Sequence, residues 1–170
     1  LNSVGKKNSD YESSPKIELM SEFIFKSSIP LSKKVENNYN YLTPKILFKI
    51  NPNDMKDYNN SDKIIDINNV FNNNRLGLDD TLEAGTSLTV GLDYKKEKIE
   101  DFNKFFEIKL ATIFRDKEEN LIPKKSTINQ KNSNFFGSVS NNFSDFFNIN
   151  YKFAIDEDLN TVEYSDFSTE

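Results

Sequence analysis

The 170-residue sequence contains no cysteine, no histidine and no tryptophan, and only two of its basic residues are arginines, Arg75 and Arg115. Without cysteine there is no disulfide framework and no thiolate nucleophile. Without histidine as well there is no Cys/His zinc site and no imidazole base. Glycine and proline are scarce, 5 of each. Cationic charge is outnumbered, with Lys+Arg 22 against Asp+Glu 27 and a net charge of −5, which argues against a nucleic-acid binder driven by phosphate attraction. No apolar run reaches the roughly 18–20 residues of a membrane helix. No GxGxxG, GxxxxGK[ST] or GxSxG motif occurs, so nucleotide and hydrolase chemistry have no anchor and no cofactor is expected.

What is present is aromatic and asparagine-rich. Hydrophobic residues make up 36% of the chain and aromatics 13%, mostly phenylalanine. That is too aromatic for disorder and too polar for an ordinary packed globule. The many Asn and Lys codons are those of an AT-rich genome and carry no function by themselves. The chain starts at Leu1 rather than Met and reads as a piece of a longer protein.

Period-2 alternation dominates, which predicts strands. Residues 1–16 are polar. Strands are expected over Ile17–Ser27, Thr43–Ile50, Thr86–Lys95, Phe105–Arg115, Asn134–Asn142, Phe146–Asp156 and Thr161–Phe167. Ile64–Phe71 is a shorter candidate. In Thr86–Lys95 the residues Leu88, Val90, Leu92 and Tyr94 share one face, and Ser87, Thr89, Gly91 and Asp93 the other. Long polar connections fall at 53–85 and 116–133, with a very short one at 144–145. Alternation alone fits two structures: a soluble sandwich with its apolar face inside, or a membrane barrel with that face in lipid and polar residues lining a wet lumen. Strand length, alternating long and short connections and aromatics near strand ends (Tyr94, Phe105, Phe106, Phe114, Tyr164) favour the barrel; the short turn at 157–160 does not fit the alternation. The expected fold is all-β, a curved antiparallel sheet of six to eight strands and a fragment of a large transmembrane β-barrel. A soluble β-sandwich or β-solenoid is the alternative.

Three groups of polar residues deserve weighing. Asp156, Asp158 and Asn160 open a D-x-D-x-N string, but Thr161 and Phe167 stand where a calcium loop needs Gly and Glu, so an acidic turn is expected. Asp79, Asp80 and Glu83 cluster near Arg75. Arginine forms bidentate carboxylate contacts that lysine cannot, so Arg75 and Arg115 are expected to brace loops to the barrel rim rather than serve catalysis. Lys109, Arg115, Asn148, Asn150 and Lys152 are expected to line the lumen. An Asp at Val90 or Leu110 should then impair assembly, and an Asp at Thr89 should be mild.

The run NNVFNNNRLGLDDTLEAGTSLTVGLDY resembles the barrel domain of the LPS-assembly protein LptD (organic solvent tolerance) family. Phe71, Asn74, Arg75, Leu76, Gly77, Asp79, Glu83 and Gly85 fit its aromatic, N/D-R-hydrophobic-G-x-D and small-residue pattern. LATIFRDKEE is similar to the family's G-Q-x-Y/F-R segment, with Ala111, Thr112, Phe114 and Arg115 in place and the G-Q pair replaced. SNFFGSVSNNFSDFFNINYKFAIDEDL resembles the next hairpin, with Tyr151, Phe153, Asp156 and Asp158 matching its signature. IPLSKK and YLTPKILFKINPND are similar to upstream elements, and the likeness runs from about residue 23 to 170, leaving 17–170 as a partial barrel domain. The resemblance implies a non-enzymatic outer-membrane machine that inserts lipopolysaccharide into the outer leaflet. It implies an LptE-type lipoprotein plug inside the barrel, and a periplasmic Lpt bridge received by an N-terminal jellyroll that is not in this sequence. A soluble extracellular binding module and a porin-like barrel are the competing functions.

Overall fold

The computed structural model describes residues 20–144 and 147–169. The polar segment 1–16, the start of the first expected strand and Asp145 lie outside the described residues. The eight strands are β1 (Phe23–Ser28), β2 (Leu31–Val35), β3 (Asn38–Asn51), β4 (Gly85–Lys98), β5 (Phe105–Arg115), β6 (Phe135–Ser144), β7 (Phe147–Ile155) and β8 (Val162–Thr169). They form one antiparallel sheet in the order β1-β3-β4-β5-β6-β7-β8, with β2 also paired to β3. The sheet does not close on itself among the described residues.

β1 and β2 are two halves of one interrupted strand. β1 pairs with the second half of β3 and β2 with the first, and the Ile29 amide bridges the break by donating to the Pro44 carbonyl at 3.1 Å. Pro30 removes a ladder donor at that point. The stretch 30–40, outside every strand expected from the sequence, folds as a hairpin turning at Glu36, whose φ of 51° is left-handed. Lys33 and Lys34 conceal β2, because two consecutive lysines break the alternation.

Ile64–Phe71 is not a strand. It is a chain of turns whose Ile65, Ile67 and Val70 are buried. The 157–160 turn is the exception to the connection pattern, a short turn at the end that carries the long loops. Antiparallel order puts 52–84, 116–134 and 156–161 at one end of the sheet, and 36–37 and 99–104 at the other.

The register divides the sheet into two faces. On one face, cross-strand rows such as Leu31–Leu42–Tyr94–Ile108–Val139–Tyr151–Phe167 run across the whole sheet. This apolar face is bare: Leu88 is 36% exposed, Leu92 40% and Leu110 43%. At Gly137 the missing side chain leaves room for the ring of its cross-strand neighbour Phe153; a Cβ there would lie 2.3 Å from the ring. The other face is covered near the long-loop end. Ala111, Ile113, Phe136 and Ala154 project from it and meet Met55, Ile65, Val70 and Leu76 of the first long loop and Ile122 and Ile128 of the second, making the hydrophobic core. Burial of this apolar area holds the loops down. The loops also bond to each other, the Tyr58 amide to the Leu121 carbonyl at 2.9 Å and the Lys124 amide to the Asn59 carbonyl at 3.2 Å.

Two expectations need correcting. Phe105 and Tyr164 sit on the polar face, opposite Glu97 and Ala154, so they cannot join an outward aromatic girdle as Tyr94, Phe106 and Phe114 can. Thr89 is wholly buried under the loop. An Asp there would not be the solvated change expected of a lumen residue, because it would put a charge into a fully buried site.

Candidate functional site

The first long loop is latched to the sheet by a buried ionic cluster. Lys49 and Arg115 reach it from β3 and β5, and Arg75 and Glu83 from the loop. Arg75 grips the Glu83 carboxylate through Nε at 2.8 Å and Nη2 at 2.5 Å. Two further donors go to the Thr89 and Ser87 hydroxyls of β4 at 2.7 and 2.9 Å. The fork geometry of the guanidinium suits this four-way bonding. Arg115 donates to Glu83 at 2.6 Å and to the Ala84 carbonyl. Lys49 lies 3.4 Å from Glu83 and 2.9 Å from Glu22, and donates to the Asn73 carbonyl at 2.7 Å. Two carboxylates thus face three cations, and Glu83 is the hub.

The neighbouring glycines fit this arrangement. Gly85, at a φ of +82°, lies where a Cβ would meet the Arg115 guanidinium at 2.9 Å. Gly91 leaves a slot on β4 for the Phe71 ring, which a Cβ would approach to 2.7 Å. Lys26 holds the Phe71 carbonyl at 2.9 Å, and the Lys45 ammonium lies 5.7 Å above the ring.

Of the carboxylates grouped near Arg75 in the sequence, only Glu83 bonds to it. Asp80 instead takes Lys56 at 2.8 Å and the Tyr58 hydroxyl at 2.6 Å, and Asp79 is exposed. Bonds from Lys56 and Tyr58 lower the Asp80 pKa, and the same contact with Asp80 raises that of Tyr58. Sequence reasoning missed Lys49, Glu22, Ser87, Thr89 and the Phe71–Gly91 contact. The one available signal was Gly91, a residue without a side chain in the middle of a well-formed strand.

Burial by itself would raise the Glu83 pKa, but Arg75, Lys49 and Arg115 overcome it and leave the group well below the usual carboxylate range. The ionised form is therefore favoured in the folded state. The latch should contribute fully above the unfolded carboxylate value near pH 4.5 and weaken only as pH falls below it toward the depressed folded value. Amide exchange of residues 70–84 in the intact barrel should be unchanged between about pH 5 and 8, once corrected for intrinsic rates, and should rise only in stronger acid. Opening already at pH 6 would contradict this assignment.

The expected lumen residues do not all sit together. Lys109, Asn148, Asn150 and Lys152 lie on the uncovered part of the polar face. Phe105, Glu107, Ser140, Asn148, Asn150 and Ser168 line a shallow groove there. Lys109 pairs with Glu107 at 2.8 Å, and Ser140 and Asn150 are 2.9 Å apart. Arg115 shares the face but is buried and occupied by the latch. Asp156 closes a tight turn, accepting from the Asn160 amide at 2.7 Å, and backbone bonds of this kind, that from Thr161 foremost, lower its pKa. Among the described residues no cluster of three or more metal-ligating side chains occurs.

One face that gathers ionic groups and carries the loops, and another that presents a bare apolar band, define the wall of a transmembrane β-barrel. No described helix is long and apolar enough to cross a membrane, a statement that does not bear on strands. The family model LptD, LPS transport system D, matches residues 3–170, and the chain belongs to that family. The family is one of outer-membrane proteins that transport lipopolysaccharide. Comparison with curated proteins gives no match.

Proposed function

We propose that this chain forms part of the wall of an outer-membrane barrel that delivers lipopolysaccharide to the outer leaflet, without covalent chemistry of its own. The apolar face meets lipid. The polar face bounds the lumen, where the open stripe of Lys109, Asn148, Asn150 and Lys152 hydrates the saccharide and phosphates of the passing lipid. The latched 52–84 loop and its neighbour narrow that lumen from the long-loop end. A lipoprotein plug of the LptE type and a periplasmic Lpt bridge are the partners this reading requires.

The observation that carries the reading is the sorting of charge between the faces. Lys45, Lys49, Asp93, Glu107, Lys109, Arg115 and Lys152 all point to the loop side, while the rows centred on Leu92 and Leu110 carry no charge. A soluble sandwich would cover its apolar face with a second layer and leave the polar one wet. Here the covering is on the polar side.

Photoreactive residues in the intact, transporting barrel test it. One at Asn150 is expected to capture lipopolysaccharide, and one at Leu92 phospholipid acyl chains. Equal capture of lipopolysaccharide at both positions, or of neither lipid at Leu92, would sink the reading.

A further inference from the structure

The outward face of the strands carries charge at one place. Among described strand residues whose register puts them on that face, the charged side chains are Lys33, Lys96 and Lys98. All are cationic, and all lie at the tight-turn end of β2 and β4. Register sets Asn40 between Lys33 and Lys96, and Asn38 beside Lys98. Two strands of spacing separate the Lys33 and Lys96 backbones by roughly 9–10 Å, a gap two lysine stems can close on one anion. The apolar band begins one row away, at Leu31, Leu42 and Tyr94.

The place is a shallow depression lined by Lys33, Val35, Asn38, Asn40, Tyr94 and Lys96, with Glu36 at its rim. The Tyr94 hydroxyl donates to Asn40 Oδ1 at 2.8 Å, which occupies the amide's oxygen and leaves its nitrogen as a donor. Glu36 is exposed in the β2–β3 turn and is the one carboxylate lining the depression. In the adjoining turn Asp101 is paired with Lys104 at 2.9 Å. Two ammonium groups, an amide donor and an apolar wall on one side match a phosphodiester whose acyl chains run along the band.

We propose that this depression binds the phosphate of an anionic glycerophospholipid in the leaflet on the tight-turn side of the membrane. The proposal rests on the reading that the outward face meets lipid. The tight turns of outer-membrane barrels are periplasmic, so the leaflet at this level is the phospholipid one. Lysines held near an anionic surface strengthen binding roughly fivefold each.

The test is native mass spectrometry of the intact, delipidated barrel offered equal phosphatidylglycerol, phosphatidylethanolamine and lipopolysaccharide. The wild type is expected to retain phosphatidylglycerol preferentially. A K33Q/K96Q variant, checked for folding by its heat-resistant gel mobility, is expected to lose that preference about tenfold or more. A K117Q/K131Q variant of two exposed loop lysines should keep it. Undiminished preference in K33Q/K96Q overturns the proposal. So does a loss of bound lipopolysaccharide in place of phosphatidylglycerol, which would put the depression in the opposite leaflet. The photoreactive residue at Leu92 separates the two levels. If it captures acyl chains while the lysine variant is silent, only the phosphate site fails; if it captures none, the underlying membrane-facing reading fails with it.

Discussion

In an E83Q variant of the intact barrel, residues 52–84 should become susceptible to trypsin at Lys56, Lys63 and Arg75. Glu83 is the shared acceptor for Arg75 and Arg115, with Lys49 beside it. A neutral amide leaves three buried cations with Glu22 as their one remaining counter-ion among the described residues. Removing one partner from a buried ionic group costs about 3–5 kcal/mol, because the charges left behind are desolvated. Cleavage that follows the population of the open loop should accelerate by a factor on the order of 10²–10⁴. E83D keeps the charge on a shorter arm and should fall between the two. An unchanged cleavage rate in E83Q would mean that the apolar contacts of Met55, Ile65, Val70 and Leu76 hold the loop without the latch.

The second large effect concerns the bare face. Leu110 lies in the middle of the apolar band, in the row with Pro44, Leu92 and Gly137. Arginine there should destabilise the barrel in lipid vesicles by about 2–4 kcal/mol, the range for a cation near the bilayer midplane. Ser140 lies three residue pairs along the ladder, on the opposite face, in the polar groove. Its replacement by arginine should stay within about 0.5 kcal/mol. Urea titration of the refolded barrels reads both. Equal damage at the two positions would reverse the assignment of faces. Thr89, which alternation alone nominates as the polar control, is unsuitable because the loop seals it.

That contrast explains how far the sequence could be read. Strand alternation made the outward rows visible, because Leu88, Val90, Leu92 and Tyr94 follow a local period that any strand imposes. The β5 limits, Phe105–Arg115, coincide with those read from the sequence. The arginines were also conspicuous, as the two exceptions in a lysine-rich chain. What lies over the polar face left no periodic trace. Met55, Ile65, Ile67, Val70, Leu76 and Leu78 are spaced by turns rather than by helix or strand geometry, and their partners are far away in sequence. Lys49 looked like one more solvated lysine, since its acceptors come from Glu22, Asn73 and Glu83. Asp79 and Asp80 looked equal to Glu83, because proximity along the chain says nothing about which carboxylate the loop turns inward.

From β2 to β8 each strand pairs with its neighbours in chain order, and β1 lies along the same edge of β3 as β2. Such a wall can grow one hairpin at a time, each new ribbon finding its template already in place. The fastening at Glu83 draws only on residues up to Arg115. It can therefore set as soon as the fifth ribbon zips, before the later ones arrive, so that a nascent pore is stoppered while its seam still stands open.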